Sequence, residues 1–270
     1  MGNSPETWHH GLVAAWWAEF NDDFRPHELP YFRRYVEQGQ PALDAGCGTG
    51  RLLVPLLQAG LDVDGCDVSP DMIAACRAKA EQAGLAPALY VQGLHELDLP
   101  RRYRTILVCG AFGLGSDRDG DREALRRLYE HLEPSGTLLV DYEVPYADPR
   151  QWRYWLRDER AGLPEERKPP SGERRRASDG SEYALRSRIL ELDPLRQHVV
   201  LEIQAERWRD GVLEAEEDHR LDIGLYFVNE LELMLELAGF ADVVVHGEHT
   251  ERPPTPDDEF VVLVATKAAS

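Results

Sequence analysis

Residues 42–51 read Ala-Leu-Asp-Ala-Gly-Cys-Gly-Thr-Gly-Arg, and Asp67 follows at the end of a second apolar run. The stretch begins as a short apolar strand, passes through glycines at positions 46, 48 and 50, and leads into a leucine-rich segment typical of a helix. Glycines let the backbone turn sharply and let a ligand lie against the main chain. An acid at the end of the next strand is placed to accept hydrogen bonds from a ribose diol. The pattern therefore predicts an α/β fold that binds a ribose-containing ligand.

Two stretches carry a resemblance to a known family. LDAGCGTGRLL (43–53) and VDGCDVSPDMI (63–73) resemble motif I and the following acidic motif of class I S-adenosylmethionine (SAM)-dependent methyltransferases. The main alternative is an NAD-binding fold, whose fingerprint is Gly-x-Gly-x-x-Gly. Counted from Gly46, the sixth position is Arg51, so that fingerprint fails. A glycine turn without a ligand is a third interpretation, which the agreement of loop, spacing and acid disfavours.

The resemblance implies roles for individual residues. The loop around Gly46 would lie beneath the methionine moiety, Asp67 would bind the ribose hydroxyls and Val68 would pack on adenine. Many relatives have an acid after strand three that contacts the adenine amine, but Leu94 stands there in this chain. That contact would then come from His95, from Glu96 or from the backbone of residues 93–94. The implied cofactor-binding residues are Asp44, Gly46, Cys47, Gly48, Asp67, Val68, Gly93, Leu94, His95, Cys109 and Gly110.

Strand-like and helix-like segments alternate from about residue 41 to 140, which predicts parallel strands joined by crossover helices. The segment NELELMLELAGFADVVV (229–245), followed by an apolar strand, resembles the antiparallel C-terminal hairpin of the same family. We therefore predict a doubly wound, seven-stranded, mostly parallel sheet. The predicted parts are an N-terminal helical lid (1–40), the SAM-binding core (41–144), an inserted loop and antiparallel β-meander (145–225) and the C-terminal end of the core (226–270).

Local signals predict several element ends. Ser69, followed by proline, is typical of a helix N-cap. Asp121 is predicted to open the helix after strand four, and Asn229 to cap the last helix. The Asp-Gly pair at 210–211 predicts a two-residue hairpin turn. A helical face near the N-terminus, suited to core packing or to a lid, is formed by Trp8, Leu12, Trp16 and Phe20.

The charge of the chain limits its partners. The 270 residues carry a formal net charge of -19, and a protein this acidic repels phosphate backbones, so no nucleic-acid partner is expected. The sequence contains no run of 18 apolar residues, so no membrane span is expected. The N-terminal residues also lack the pattern of a signal peptide. Both observations favour a cytoplasmic location. The four cysteines have no metal-binding spacing, so buried reduced thiols and no metal site are expected.

Residues 147–180 form a basic stretch in this acidic chain. One interpretation is a mobile lid or an anchor for an anionic acceptor. The favoured interpretation is a solvated insertion whose basic side chains pair with interspersed acids. The basic residues are Arg150, Arg153, Arg157, Arg160, Arg167, Lys168, Arg174, Arg175 and Arg176.

Methyl transfer from a sulfonium is an in-line displacement, so the protein mainly positions the acceptor. We expect a small-molecule acceptor that is methylated on nitrogen or oxygen. Acceptor-site candidates are His10 as a general base, Glu143 as a partner for an ammonium, and Tyr226 before the last helix. The alternatives are a non-catalytic SAM-binding regulatory protein and an NAD(P)-dependent oxidoreductase. The insertion could serve the acceptor or a homodimer interface.

Overall fold

The glycine stretch follows a fully buried strand with a parallel neighbour on each side. A computed structural model describes residues 9–167 and 174–269 of the chain. The strands are β1 (Ala42–Ala45), β2 (Val63–Asp67), β3 (Leu89–Val91), β4 (Tyr103–Cys109), β5 (Leu132–Glu143), β6 (Arg175–Arg176), β7 (Glu182–Asp193), β8 (His198–Arg209), β9 (Val212–Gly224), β10 (Phe240–Gly247) and β11 (Phe260–Lys267). The helices are α1 (Gly11–Phe20), α2 (Glu28–Gln38), α3 (Leu53–Gln58), α4 (Pro70–Gln82), α5 (Arg118–His131), α6 (Pro149–Trp152), α7 (Arg157–Arg160) and α8 (Val228–Leu237).

Seven strands form the main sheet in the order β10-β11-β5-β4-β1-β2-β3. Neighbouring strands are parallel except at β11, which is antiparallel to both β5 and β10. The strand order reverses between β1 and β4, and ligands of open α/β sheets bind in the crevice at such a reversal. The sheet confirms the predicted fold, including the C-terminal antiparallel hairpin.

Helices cover both faces of this sheet. Adjacent residues of a strand point to opposite faces, so Ile106 of β4 belongs to one apolar cluster and Leu107 to the other. The first cluster also contains Leu125 of α5 and Leu231 of α8, whereas the second contains Phe32 of α2 and residues of α3 and α4. The carboxyl ends of the strands are consequently held rigidly between two packed layers.

The insertion forms a second, antiparallel sheet in the order β6-β7-β8-β9. Strands β7 to β9 are the predicted meander, and the short strand β6 was not predicted. At the predicted hairpin turn, Asp210 and Gly211 both have positive φ (51° and 78°), as a type I′ turn requires. Leu12 and Val13 of α1 pack on Tyr183 of this sheet. The N-terminal helix therefore joins the insertion to the site described below. Trp8, which was predicted to belong to the same helical face, lies outside the described residues.

The local signals had mixed outcomes. Ser69 caps α4 as predicted, because its Oγ accepts a hydrogen bond from the Met72 amide at 3.2 Å. The predicted start of α5 at Asp121 was wrong, since Asp117 already caps the helix by accepting from the Gly120 amide at 2.9 Å. The predicted Asn229 cap was also wrong, because α8 begins at Val228 without a side-chain cap.

About half of the described basic side chains in the basic stretch pair with acids. Arg150 contacts Glu165, and the Arg167 guanidinium lies 2.6 Å from an Asp218 carboxylate oxygen. These contacts support the interpretation as a charge-paired insertion, although Lys168 lies outside the described residues. All four cysteines are free thiols, as predicted. Across residues 9–167 and 174–269, no helix combines the length and apolarity needed to cross a membrane.

Candidate functional site

The glycine loop after β1 adopts backbone angles that favour glycine. Gly46, Gly48 and Gly50 have φ values of 80°, 52° and 84°. A Cβ at position 46 would lie 2.4 Å from the Ala111 Cβ, because the loops after β1 and β4 approach each other closely there. A Cβ at position 48 would meet nothing within 4 Å. The loop therefore packs tightly on one side and leaves open space on the other.

Asp67 fixes this loop from the end of β2. Its Oδ2 accepts a hydrogen bond from the Gly48 amide at 2.9 Å, and its Oδ1 accepts one from the Ser69 amide at 2.8 Å. Burial raises the pKa of the carboxyl, and these two amides partly offset that effect. The acid thus joins the glycine loop to the start of α4, and its contact with a ribose remains a prediction.

A cleft of about 190 Å³ opens beside the glycine loop, and we call it the loop cleft. Its walls come from the ends of β1, β2, β3 and β4, the start of α5, and α1. Nine of the eleven residues implied by the resemblance line it: Gly46, Gly48, Asp67, Val68, Gly93, Leu94, His95, Cys109 and Gly110.

The other two implied residues, Asp44 and Cys47, lie behind the loop and do not line the cleft. Asp44 is buried, and desolvation raises the pKa of its carboxyl to about 7. Cys47 is buried in the apolar cluster that includes Leu53 of α3. Their direct contact with a cofactor is not supported, because both side chains point into the packed interior; they can shape the loop only from beneath.

Sequence reasoning missed several residues of the cleft. Thr49 lies in the glycine loop, and its buried Oγ1 has no hydrogen-bond partner among residues 9–167 and 174–269. Trp17 and Asn21 come from α1 and its end, and Asp121 comes from α5. The alternating glycines could have drawn attention to Thr49, which stands between two of them. Asp121 had been interpreted only as a helix start.

Hydrogen bonds hold α1 in place over the loop cleft. The Ser69 hydroxyl donates to the backbone carbonyl of His9, and the Gly11 amide donates to Asp71 Oδ2 at 2.8 Å. On the opposite side, the Leu12 amide donates to Glu217 Oε2 at 2.7 Å. The start of α1 therefore bridges α4 of the core and β9 of the insertion.

The last strand of the insertion is also attached to the core near the cleft. The Gly115 amide donates to the Asp222 carbonyl at 2.7 Å, and the Gly224 amide donates to the Gly113 carbonyl at 2.8 Å. These bonds join the end of β9 to the loop after β4. The insertion is thus positioned as a wall of the functional site.

A second cavity of about 510 Å³ adjoins the loop cleft, and we call it the acidic cavity. The two cavities share Trp17, Asn21 and the turn after β4 that contains Cys109 and Gly110. Its remaining walls come from the start of α2, the end of β5 and the insertion. The charged residues that line it are Asp23, Arg25, Glu28, Arg51, Asp141, Glu143 and Asp148.

A buried charge cluster supports the wall of the acidic cavity. The Arg51 guanidinium binds Glu28 through two hydrogen bonds of 2.7 and 2.6 Å. Burial acts to raise the pKa of Glu28, but hydrogen bonds from Arg51 hold it below its usual value. Asp141 Oδ2 lies 3.4 Å from both Arg25 Nη1 and His249 Nε2.

Glu28, Asp141 and His249 present ligand atoms within 4.8 Å of one another, a grouping that could hold a metal ion. The sequence spacing did not predict this grouping, because the three residues come from distant parts of the chain. Arg51 and Arg25 already place positive charge beside the two carboxylates. This compensation weakens the attraction for a cation.

The three predicted acceptor-site residues are not brought together. Glu143 lines the acidic cavity, with 59% of its side chain exposed and Arg25 at 3.7 Å. Tyr226 is 1% exposed and lines neither cavity, so its predicted acceptor contact is not supported. His10 lines neither cavity and contacts His219 at 3.1 Å, because α1 turns its side chain toward β9. Only Glu143 stays a candidate for direct contact with the acceptor.

Comparisons with known proteins agree with this geometry. Residues 42–136 match the family described as "Methyltransferase domain". Among the curated relatives, the ubiquinone biosynthesis O-methyltransferase of Actinobacillus pleuropneumoniae serotype 7 is 34% identical over 82 residues, which cover 27% of this chain and 35% of that protein. The chain spans about half or less of the length of most curated relatives it matches.

Solved structures match nearly the whole chain, and two of them serve as examples. The CcbJ methyltransferase from Streptomyces caelestis has a TM-score of 0.68 at 22% identity, covering 98% of this chain and 99% of that one. The sugar N-methyltransferase KedS8 from Streptoalloteichus sp. has a TM-score of 0.67 at 18% identity, covering 99% and 96%. At these identities the likeness concerns the fold, including the insertion. The chain therefore carries, over residues 42–136, the domain of class I S-adenosylmethionine-dependent methyltransferases, with SAM as its cofactor.

Proposed function

We propose that this protein transfers a methyl group from SAM to a nitrogen of a small-molecule acceptor bound in the acidic cavity. The observation that carries the proposal is the junction of the two cavities at Cys109 and Gly110. A cofactor in the loop cleft and an acceptor in the acidic cavity would meet at this junction. Proximity and alignment of this kind lower the barrier of a displacement reaction.

The charge of the acidic cavity favours a cationic acceptor. Five carboxylates and two guanidinium groups line it, so the lining carries an excess of negative charge. Such an excess attracts an ammonium and repels an anionic acceptor. An amine therefore suits the cavity better than a phosphorylated molecule. The alternative is a hydroxyl acceptor on a molecule that also carries a positive charge.

The glycine loop fits the cofactor that the family uses. Gly48 leaves open space toward the cleft, and the unpartnered Thr49 hydroxyl offers a hydrogen bond to a polar ligand group. When bound, SAM supplies an electrophilic methyl and a neutral sulfide leaving group. The tasks left to the chain are to hold both reactants, to exclude water and to accept the acceptor's proton.

Glu143 is the residue best placed to act on an amine. Partial desolvation at the cavity wall, the largest influence, raises the pKa of its carboxyl, and Arg25 opposes that shift. Its carboxylate oxygens can accept hydrogen bonds from an ammonium and take up the proton that the nitrogen loses before attack. Because Glu143 is more than half exposed, the proton can pass on to solvent.

The relatives support methyl transfer and leave the acceptor atom open. The structural neighbour KedS8 is named a sugar N-methyltransferase, and the sequence relative from Actinobacillus pleuropneumoniae is named an O-methyltransferase. The choice of nitrogen for this chain therefore depends on the charge of the acidic cavity. A shared fold alone does not identify a substrate.

The experiment is to incubate the full chain with SAM and a panel of amines and size-matched alcohols, and to measure S-adenosylhomocysteine by mass spectrometry. We expect product with cationic amines. SAM binding without product from any acceptor would favour the non-catalytic regulatory protein. Calorimetric binding of NAD without binding of SAM would favour the oxidoreductase and overturn the proposal.

A further inference from the structure

The inserted sheet gives the acidic cavity a wall that differs chemically from the wall formed by the core. On the core side, the lining includes the carboxylates of Asp141 and Glu143 at the end of β5. On the other side, Leu201 of β8, Ile223 of β9 and Leu225 just beyond β9 form what we call the apolar wall. The acidic cavity therefore has charge on one side and hydrocarbon on the other.

The pairing of β8 with β9 places apolar side chains on one face of the inserted sheet. Leu201 lies opposite Leu221, and Val199 lies opposite Ile223. Residues directly opposite each other in an antiparallel pair point to the same face, so these four side chains share a face. Leu221 lines the loop cleft, whereas Leu201 and Ile223 line the acidic cavity. One apolar face of the insertion thus covers both cavities.

Polar groups at the apolar wall are already engaged within the protein. The Leu225 amide donates to the Gln197 carbonyl at 2.7 Å. The Tyr142 hydroxyl, which reaches this wall from β5, accepts from the Tyr226 amide at 2.8 Å and donates to the Gly224 carbonyl at 3.3 Å. Hydroxyl groups of a ligand placed against this wall would lose hydrogen bonds to water, and these groups would not replace them.

The insertion also contributes two polar side chains to the cavity, Asp148 and Gln151. Asp148 caps α6, because its Oδ1 accepts a hydrogen bond from the Arg150 amide at 2.8 Å. Both residues belong to α6 and its cap and not to the inserted sheet. Behind the apolar wall, Leu225 packs in a cluster with the buried side chain of Val199. The apolar wall is therefore supported by packed hydrocarbon.

We infer that the acceptor is an amine attached to an apolar body, a hydrocarbon chain or ring, and not to a hydroxylated body such as a sugar. The inference rests on the proposed function, because it requires an amine acceptor in the acidic cavity. The ammonium would face the carboxylates of the core, and the body would lie against Leu201 and Ile223. Contact with this wall removes apolar surface from water, which stabilises the complex. The chain would then differ in its acceptor from its structural neighbour KedS8, which is named a sugar N-methyltransferase.

The test compares amines that share a carbon skeleton and differ in their hydroxyl groups. Cyclohexylamine is paired with an aminoinositol, and hexylamine is paired with glucamine. The full chain receives SAM and one amine, and kcat/KM is determined from the S-adenosylhomocysteine released. The variants are Leu201→Asn, Ile223→Thr and Leu195→Asn. Leu195 is 92% exposed in the turn between β7 and β8 and does not line the acidic cavity, which makes it a matched control.

We expect the wild type to favour the amines with apolar bodies by about 10–100-fold in kcat/KM, because hydroxyl groups lose their hydration against the apolar wall. Leu201→Asn and Ile223→Thr should each lower this ratio by roughly threefold to tenfold, since they place a hydrogen-bonding group on the wall. Leu195→Asn should keep the ratio of the wild type. Comparison of each ratio with the wild type cancels the difference in basicity within a pair. The Kd for S-adenosylhomocysteine should not change, which shows that the variants are folded.

Two results would overturn the inference and leave methyl transfer to amines intact. One is an equal or higher kcat/KM for the hydroxylated amines in the wild type. The other is a ratio that stays unchanged in both Leu201→Asn and Ile223→Thr, because the preference would then not come from the apolar wall. If the wild type binds S-adenosylhomocysteine but methylates no amine of either kind, the proposed function fails instead, so the two failures are distinguishable.

Discussion

The glycine loop and the acidic cavity are built in different ways. The loop is one continuous stretch, residues 46–50, and the acid that fixes it lies at the end of the next strand. The acidic cavity draws its wall from α2, β5, the loop after β4 and the insertion. Its charged side chains come together through pairs such as Glu28 with Arg51 and Asp141 with Arg25.

The two regions therefore depend on different features of the sequence. Binding to the loop depends on backbone angles that few residues besides glycine adopt, so its residues can be recognised from a short pattern. Binding to the acidic cavity depends on the net charge of side chains that meet only after folding. We therefore expect substitutions in the loop to affect cofactor binding and substitutions in the cavity to affect the acceptor.

The largest effect is expected for Gly46→Ala. The new Cβ would be strained at φ 80° and would lie 2.4 Å from the Ala111 Cβ, which together cost roughly 2–5 kcal/mol. Calorimetry should show a loss of SAM binding of more than about tenfold. Gly60→Ala is the control, because Gly60 has the same φ and its Cβ would meet nothing within 4 Å. Equal effects of both variants on SAM affinity would contradict the role of the close approach at Ala111.

Asp44→Asn tests whether the buried Asp44 carboxyl beneath the glycine loop makes the free energy of unfolding depend on pH. The folded pKa of Asp44 is raised from 3.8 to about 7, so between these values the folded state binds a proton that the unfolded state has lost. This group's contribution to the free energy of unfolding is therefore full below pH 3.8 and declines as pH rises toward 7. The decline is at most roughly 4 kcal/mol.

Because asparagine does not titrate, Asp44→Asn should gain stability relative to the wild type as the pH rises from 4 to 7. Urea unfolding at several pH values measures this difference, in which the other titrating groups cancel. A difference that stays constant with pH would show that Asp44 ionises normally in the folded protein.

Asp67→Ala should weaken SAM binding by roughly 1–3 kcal/mol, the cost of leaving polar partners unpaired. The variant loses the acceptor for the Gly48 and Ser69 amides as well as the predicted ribose contact. Calorimetry with SAM and a thermal unfolding scan separate affinity from stability. Unchanged affinity would mean that the ribose contact is misplaced.

The smallest effect is expected in the acidic cavity. Glu143→Gln should weaken the binding of a cationic amine by roughly 1 kcal/mol or less, which is about fivefold or less in KM, because the side chain is more than half exposed. The Kd for SAM should not change. Glu236→Gln, at an exposed position of α8, is the control. A weaker affinity for SAM in Glu143→Gln would contradict the proposal that the glycine loop binds the cofactor and the acidic cavity binds the acceptor.

The sequence predicted the core well because its signals are local. The strand, the glycine loop and Asp67 lie within 26 residues, and the serine cap of α4 involves neighbouring residues. The prediction failed where a partner lay far along the chain. His10 is turned toward His219, and Tyr226 is buried against Asp121, more than a hundred residues away. Neither contact leaves a periodic pattern in the sequence.

The most direct test of methyl transfer to nitrogen is a competition between an amine and its size-matched alcohol for a labelled methyl group. The full chain receives SAM with a trideuterated methyl group and both acceptors at equal concentration, and the products are identified by mass spectrometry. We expect label on the nitrogen of the amine, with transfer reduced in Gly46→Ala. Label on the alcohol alone, or SAM binding with no labelled product from any acceptor pair, would contradict it.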